Sequence, residues 1–245
     1  MSILTLKRPL ETLLDLEPLS SIASADADDI EHAKLRYGRS SVSVSELFEV
    51  SADGEEGLTL RGDLRLAINA GAGFREGMMM IESSVGAGAG ARTEGGKLTI
   101  LGSAGKNACR DMQNGFVVIA GGTEDGLAHS MRRGMIVVDG MAEGQTCAQL
   151  RGGTILFIGG VRYPDQLARG MSRGTVILPT GASVPSGFSQ AASVDLAFLR
   201  LLFHELMKRG VTLPEGWIGG VFTRFRGDAA GLGKGELFVF AGERV

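Results

Sequence analysis

The sequence predicts an all-β protein, a right-handed parallel β-helix or solenoid of about seven coils with a repeat of roughly 19 residues. Two observations predict it. Glycines recur every nineteen residues, at positions 77, 96, 115, 134 and 153, and Gly174 follows after twenty-one. Each glycine opens a short apolar alternation of period two, such as Val117 and Ile119, which is typical of a strand with one face in the core. A β-sandwich is the competing all-β interpretation, but the fixed spacing argues against its irregular hairpins.

The composition limits the class of protein. The chain has 245 residues, a net charge of −3 and 44% hydrophobic residues, enough for a buried core. A general nucleic-acid binder or a protein that binds acidic membranes would be basic, so both classes are disfavoured. No apolar stretch approaches the ~20 residues of a membrane span, and a start carrying Lys7, Arg8, Glu11 and Asp15 is untypical of a signal peptide. We therefore expect a cytoplasmic protein.

Three regions are predicted along the chain: an N-terminal α/β extension over 1–56, the repeats over 57–181, and a helix with β segments over 182–245 that packs on the repeats. In the extension, residues 24–37 predict a short helix ended by Gly38, and residues 42–50 predict a strand.

The last region is predicted to hold a capping helix over 193–209, with Ser193 as its N-cap and Asp195 in its first turn. Its apolar stripe is Leu196, Leu199, Phe203 and Leu206. This helix is expected to lie on the repeats or to cover their open end, because an exposed strand edge must be blocked. Two β segments are predicted beyond it, over 221–225 and 236–240.

A search for catalytic chemistry finds no motif. The histidines, His32, His129 and His204, have no partner at metal-ligand spacing, and neither GxSxG nor a P-loop is present. Cys109 and Cys147 each lie thirteen residues after a periodic glycine, two repeats apart. Stacked strands would hold them about 10 Å apart, too far for a disulfide. We therefore expect two buried corner residues, no metal site and no catalytic residue.

Arginine stands out among the charged residues, with 19 Arg against 6 Lys. Arg132 and Arg151 occupy one position of the repeat, and Arg133 and Arg173 occupy the next. Stacked repeats would align them into a basic strip that can hold carboxylates through bidentate hydrogen bonds. Three interpretations stay open: a solvated face with local acidic partners, a contact with another protein chain, and a contact with an anionic cofactor.

The repeats resemble the GXGXG domain, which is found at the end of the large subunit of glutamate synthase and in the C subunit of formylmethanofuran dehydrogenase. The resemblance to that C subunit extends over nearly the whole chain. It rests on these segments: Glu46-Leu47-Phe48-Glu49-Val50, Leu60-Arg61-Gly62-Asp63, Gly71-Ala72-Gly73, Ile81-Glu82, Arg224-Phe225-Arg226-Gly227-Asp228 and Gly233-Lys234-Gly235-Glu236-Leu237.

The resemblance implies a non-catalytic scaffold subunit of a formyltransferase/hydrolase complex. Such a complex moves a formyl group from tetrahydromethanopterin to methylofuran and releases formate during formaldehyde oxidation in methylotrophs. The implied partners are the A, B and D subunits, with zinc in the amidohydrolase-like member and formyl transfer in the formyltransferase-like member. The resemblance implies no cofactor bound by this chain itself. For Arg132 and Arg151 we add the hypothesis of a contact with the anionic tail of methylofuran or with a partner.

Two alternatives remain for the chain as a whole. One is the C subunit of an archaeal molybdenum or tungsten formylmethanofuran dehydrogenase, and the other is a detached glutamate-synthase-like domain. The excess of arginine over lysine and the abundant alanine favour the bacterial hydrolase complex over the archaeal dehydrogenase.

Overall fold

The computed structural model describes residues 2–52, 57–194, 197–229 and 233–243. Sixteen strands lie in this part of the chain: β1 Ser2–Leu6, β2 Leu14–Asp15, β3 Lys34–Tyr37, β4 Ser40–Ser43, β5 Phe48–Ala52, β6 Leu58–Arg61, β7 Ala67–Ile68, β8 Met78–Ile81, β9 Lys97–Ile100, β10 Phe116–Ile119, β11 Met135–Val138, β12 Thr154–Phe157, β13 Arg173–Leu178, β14 Ser189–Val194, β15 Val221–Gly227 and β16 Lys234–Gly242. The α-helices there are α1 Ala27–His32, α2 Val44–Leu47 and α3 Ala197–Lys208, and short 3₁₀ turns cover Glu17–Ser21 and Pro164–Gln166.

Twelve strands form one mixed, mostly parallel sheet in the order β14-β15-β16-β13-β12-β11-β10-β9-β8-β6-β1-β5, and the other four form a second sheet in the order β4-β3-β2-β7. The repeat strands β8 to β12 are parallel neighbours, and Val117 lies opposite Ile136, nineteen residues further on. Isolated parallel bridges, such as Ala104 with Thr123, keep the same register outside the strands. The period in the sequence is therefore the register between neighbouring parallel strands.

The predicted class, an all-β right-handed parallel β-helix or solenoid, is wrong. The described residues form a mixed α/β fold with a twelve-stranded mixed sheet, a second sheet and three α-helices. The period of nineteen residues could predict only which strands are parallel neighbours. Segments outside the period add antiparallel pairs at both ends of the large sheet, β1 with β5 at one end and β14 with β15 and β16 at the other. The division of the chain into 1–56, 57–181 and 182–245 stays a prediction.

The N-terminal extension contains a shorter helix and a broken strand. Asp26 caps α1 by accepting the N–H of Asp29 at 2.9 Å, but residues 34–37 form β3 and pair with β4 instead of continuing the helix. The predicted strand over 42–50 is interrupted by α2, because the Glu46 carboxylate accepts the backbone N–H of Ser43 at 2.7 Å in a capping box. Local capping thus overrode the alternating pattern at this point.

The C-terminal helix begins four residues later than predicted. Ser193 lies in β14 opposite Thr223, so it is not the N-cap, and Asp195 and Leu196 lie outside the described residues. The rest of the stripe is confirmed, since Leu199, Phe203 and Leu206 are buried, and Gly210 follows the helix at a φ of +86°. The predicted tail strands are confirmed in β15 and β16, which extend beyond the predicted bounds.

The large sheet packs on both faces in its C-terminal half. One face, with residues such as Ile136 and Val138, belongs to a core that includes the N-terminal extension. The other face packs against α3 and Trp217, in a second core to which β10 to β13 and β16 contribute Phe116, Val137, Leu156, Ile177 and Phe238. Strands that are buried on both faces read as continuous apolar runs, which explains the Met-Ile-Val-Val of β11.

The periodic glycines adopt left-handed backbone conformations at the points where each repeat enters its strand. Gly96 has a φ of +70° and Gly134 a φ of +93°, a region that L side chains adopt only at a cost. Among the described residues no helix is long and apolar enough to cross a membrane.

Candidate functional site

Within the described ranges, no three side chains of the His, Cys, Asp or Glu type come together as a metal site. The histidines are dispersed: His32 ends α1, His204 is exposed on α3, and His129 lies in a repeat turn. The described part of the chain therefore offers no ligand set for zinc.

The two cysteines are interior corner residues, and neither is joined in a disulfide. Cys109, Ala128 and Cys147 occupy successive repeats with φ values of +54°, +55° and +59°, and all three are fully buried. Burial raises the pKa of the Cys109 thiol to about 12 and also raises the pKa of Cys147. Because the thiolate is the nucleophile, neither side chain is activated for catalysis near neutral pH.

Five exposed basic side chains form what we call the cationic strip: Arg132, Arg133, Arg151, Arg173 and Lys234. They lie at the amino-terminal ends of β11, β12, β13 and β16, which are neighbouring parallel strands in the order β16-β13-β12-β11. Arg132 and Arg133 precede β11, Arg151 precedes β12, and Arg173 and Lys234 are the first residues of their strands.

The backbone holds Arg132 and Arg151 in stacked positions. The N–H of Arg132 donates to the carbonyl of Met112 at 2.9 Å, and the N–H of Arg151 donates to the carbonyl of Met131 at 2.8 Å. Their side chains line one cleft of about 460 Å³ together with Gln113 and Arg133. The structure thus brings together the two residues that the sequence singled out, and it adds Gln113 from the preceding repeat.

At the same position of the repeat, an earlier pair of residues carries opposite charges that neutralise each other. Arg75 and Glu94 are nineteen residues apart, as Arg132 and Arg151 are, and their side chains form an ion pair at 3.1 Å. Three further steps of nineteen residues lead from Glu94 to Gln113, then to Arg132 and then to Arg151. Two arginines therefore occupy neighbouring repeats at the position where an earlier pair of repeats forms a salt bridge.

Arg173 and Lys234 form a second pair of neighbouring basic residues, one position later in the repeat. They are direct partners in the parallel register of β13 and β16. Like charges at facing positions of a sheet are destabilising unless another group neutralises them. The sequence period could identify Arg173, but it could not identify Lys234, which reaches the strip only because β16 pairs with β13.

Most arginines elsewhere in the described residues have a carboxylate partner. Ion pairs hold Arg36, Arg61, Arg65, Arg75, Arg92, Arg110, Arg162, Arg209 and Arg224. The five side chains of the strip form no ion pair with any described residue. The described residues thus supply no local acidic partner for the strip, and its guanidinium and ammonium groups are of the chemical type that binds carboxylates.

The chain is similar to a solved structure over almost its full length. No protein-family model and no curated protein matches it. Among solved structures it resembles a chain of the X-ray crystal structure of the formyltransferase/hydrolase complex FhcABCD from Methylorubrum extorquens in complex with methylofuran. The TM-score is 0.76 at 28% sequence identity, and the match covers 98% of this chain and 99% of that one.

Proposed function

We propose that this chain is a non-catalytic scaffold subunit of a formyltransferase/hydrolase complex. The observation that carries the proposal is the match at a TM-score of 0.76 and 28% identity, which covers 98% and 99% of the two chains. Because the match covers nearly all of both chains, it supports a chain of the same size and architecture and not merely a small shared module. Because one fold serves many functions, the proposal rests on this specific likeness and not on the fold alone.

The chemistry of the two cysteines also supports the scaffold role. Both thiols are buried in corners with raised pKa values, and the described residues contain no group of three or more His, Cys, Asp or Glu side chains that could hold a metal ion. On this proposal zinc belongs to an amidohydrolase-like partner and formyl transfer to a formyltransferase-like partner, and a fourth chain completes a hetero-oligomer in the cytoplasm. Methylofuran and tetrahydromethanopterin are then used by the complex, which converts formyl-tetrahydromethanopterin to formate through formyl-methylofuran.

A tagged pull-down from the native cell, followed by mass spectrometry, tests the proposal. We expect the chain to co-purify with an amidohydrolase-like, a formyltransferase-like and a fourth subunit, and to do so without molybdopterin. The matched control is the same purification from cells that express the chain without its tag. A chain that is recovered alone, folded and monomeric, would refute the proposal, and co-purified molybdopterin would replace it with a formylmethanofuran dehydrogenase.

A further inference from the structure

We infer that the cationic strip docks an acidic segment of a partner protein in the complex, an inference that rests on the proposed function. The strip consists of Arg132, Arg133, Arg151, Arg173 and Lys234, at the amino-terminal ends of four neighbouring strands. The occupant is an extended stretch of polypeptide that carries several Asp or Glu side chains.

The charge pattern favours an anion from another molecule. At equivalent positions the chain places Glu94 beside Arg75 at 3.1 Å, but it places Arg151 beside Arg132. The five side chains are exposed, and none of them has a carboxylate partner within the described part of the chain. A carboxylate that binds between Arg132 and Arg151 would restore the alternation of charge that the Arg75 pair has internally, in the bidentate geometry that arginine favours.

The dimensions of the strip fit an extended acidic segment better than a single small anion. Four parallel strands at about 4.8 Å spacing extend over about 14 Å, which corresponds to about four residues of an extended chain at 3.3 Å each. The cleft beside Gln113 accommodates one end of such a segment, and Arg173 with Lys234 lies at the other end. The surface is open and exposed, as is usual where charge steers protein chains together.

Two pairs of substitutions with the same change in charge test the inference in the full-length chain. Arg132→Glu with Arg151→Glu reverses the centre of the strip, whereas Arg8→Glu with Arg39→Glu reverses two exposed arginines in the N-terminal extension. Each tagged variant is isolated from the native cell beside the wild type, at low and at high ionic strength. Circular dichroism melting curves confirm that the variants are folded.

We expect the Arg132/Arg151 variant to retain its partner proteins about 10-fold less well or worse, because carboxylates would then face carboxylates. The Arg8/Arg39 variant should retain them like the wild type, and high salt should weaken the wild-type complex. Arg132→Lys with Arg151→Lys keeps the charge but loses the bidentate hydrogen bonds of the guanidinium group. Its retention of partner proteins should therefore lie between the values for the other two variants. A strip variant that keeps its partners would overturn the inference. If that variant also showed a raised KM for the long-tailed cofactor, the strip would instead bind the anionic tail of the cofactor.

Recovery of the wild-type chain without partners would instead refute the proposed function. The strip then has its own readout, the fluorescence anisotropy of a labelled oligoglutamate peptide that is titrated with the full-length chain, with oligoglutamine as the neutral control. Binding that weakens with salt, and that falls about 10-fold in the Arg132/Arg151 variant alone, supports an acidic occupant. No binding of oligoglutamate to the wild-type chain would overturn it.

Discussion

Two glycines with nearly the same backbone conformation should respond differently to alanine. Gly96 is one of the periodic glycines and has a φ of +70°, while Gly73 has a φ of +68°. A Cβ at Gly96 would lie 2.6 Å from Cε1 of Phe74 and 3.0 Å from the carbonyl oxygen of Gly77, whereas a Cβ at Gly73 would meet nothing within 4 Å. The pair therefore separates the cost of the backbone conformation from the cost of close stacking.

The magnitudes follow from these contacts. Both variants incur the left-handed conformation, about 1–2 kcal/mol for a residue with a Cβ. Gly96→Ala adds the overpacking of a buried core, about 1–3 kcal/mol, because the Phe74 ring is fully buried and cannot swing away. It also displaces the carbonyl that accepts the N–H of Lys97 at 2.9 Å. We expect losses of unfolding free energy of about 1–2 kcal/mol for Gly73→Ala and about 2–5 kcal/mol for Gly96→Ala.

Urea unfolding followed by far-ultraviolet circular dichroism measures both values, and unchanged m values show that the variants unfold in the same way. A double-mutant cycle with Phe74→Leu isolates the ring contact, and it should show part of the Gly96→Ala loss recovered. Equal losses for Gly96→Ala and Gly73→Ala, within about 0.5 kcal/mol, would refute the stacking argument.

Three further predictions follow from burial and charge. The thiols of both cysteines should be unreactive towards a disulfide reagent in the folded chain and reactive after denaturation, because burial raises the pKa of Cys109 to about 12. Phe203→Ala should cost about 3–5 kcal/mol in urea unfolding, since its ring is buried 5.6 Å from two other aromatic rings. Leu201→Ala, at a side chain that is 71% exposed, should stay within about 0.5 kcal/mol of the wild type. Hydrogen bonds from Arg65 lower the pKa of the Asp63 carboxyl from 3.8 to about 2, so any stabilisation is present above 3.8 and is lost as the pH falls through 2. Arg65→Ala should return that pKa towards 3.8 in an NMR titration, and an unchanged value would contradict the assignment.

The fold could be predicted from the sequence only where the signal is local. The alternation of Val117 and Ile119 identified a strand, and the spacing to Ile136 identified its parallel partner. The class was still wrong, because the antiparallel strands at the ends of the large sheet come from segments without a period. A capping interaction between Ser43 and Glu46 also broke a strand that the alternation had predicted.

The geometry of the candidate site could be predicted in part, and its binding role stays a prediction. Arg132 and Arg151 share a position of the repeat, so their stacking followed from the spacing alone. Whether acidic side chains neutralised them could not be read from the sequence, because any of the 28 Asp and Glu residues could have reached them. The described structure shows ion pairs for nine other arginines and for none of the strip.

By itself the sequence determined the parallel register of the repeats, the positive φ of their glycines and the buried stripe of α3. These are properties of residues a fixed and short distance apart, and elementary backbone geometry relates them. Only the tertiary structure decided that β16 returns to pair with β13 and brings Lys234 beside Arg173. It also decided that α3 covers the outer face of β10 to β13, because long-range pairing depends on which surfaces remain to be buried after the local elements have formed.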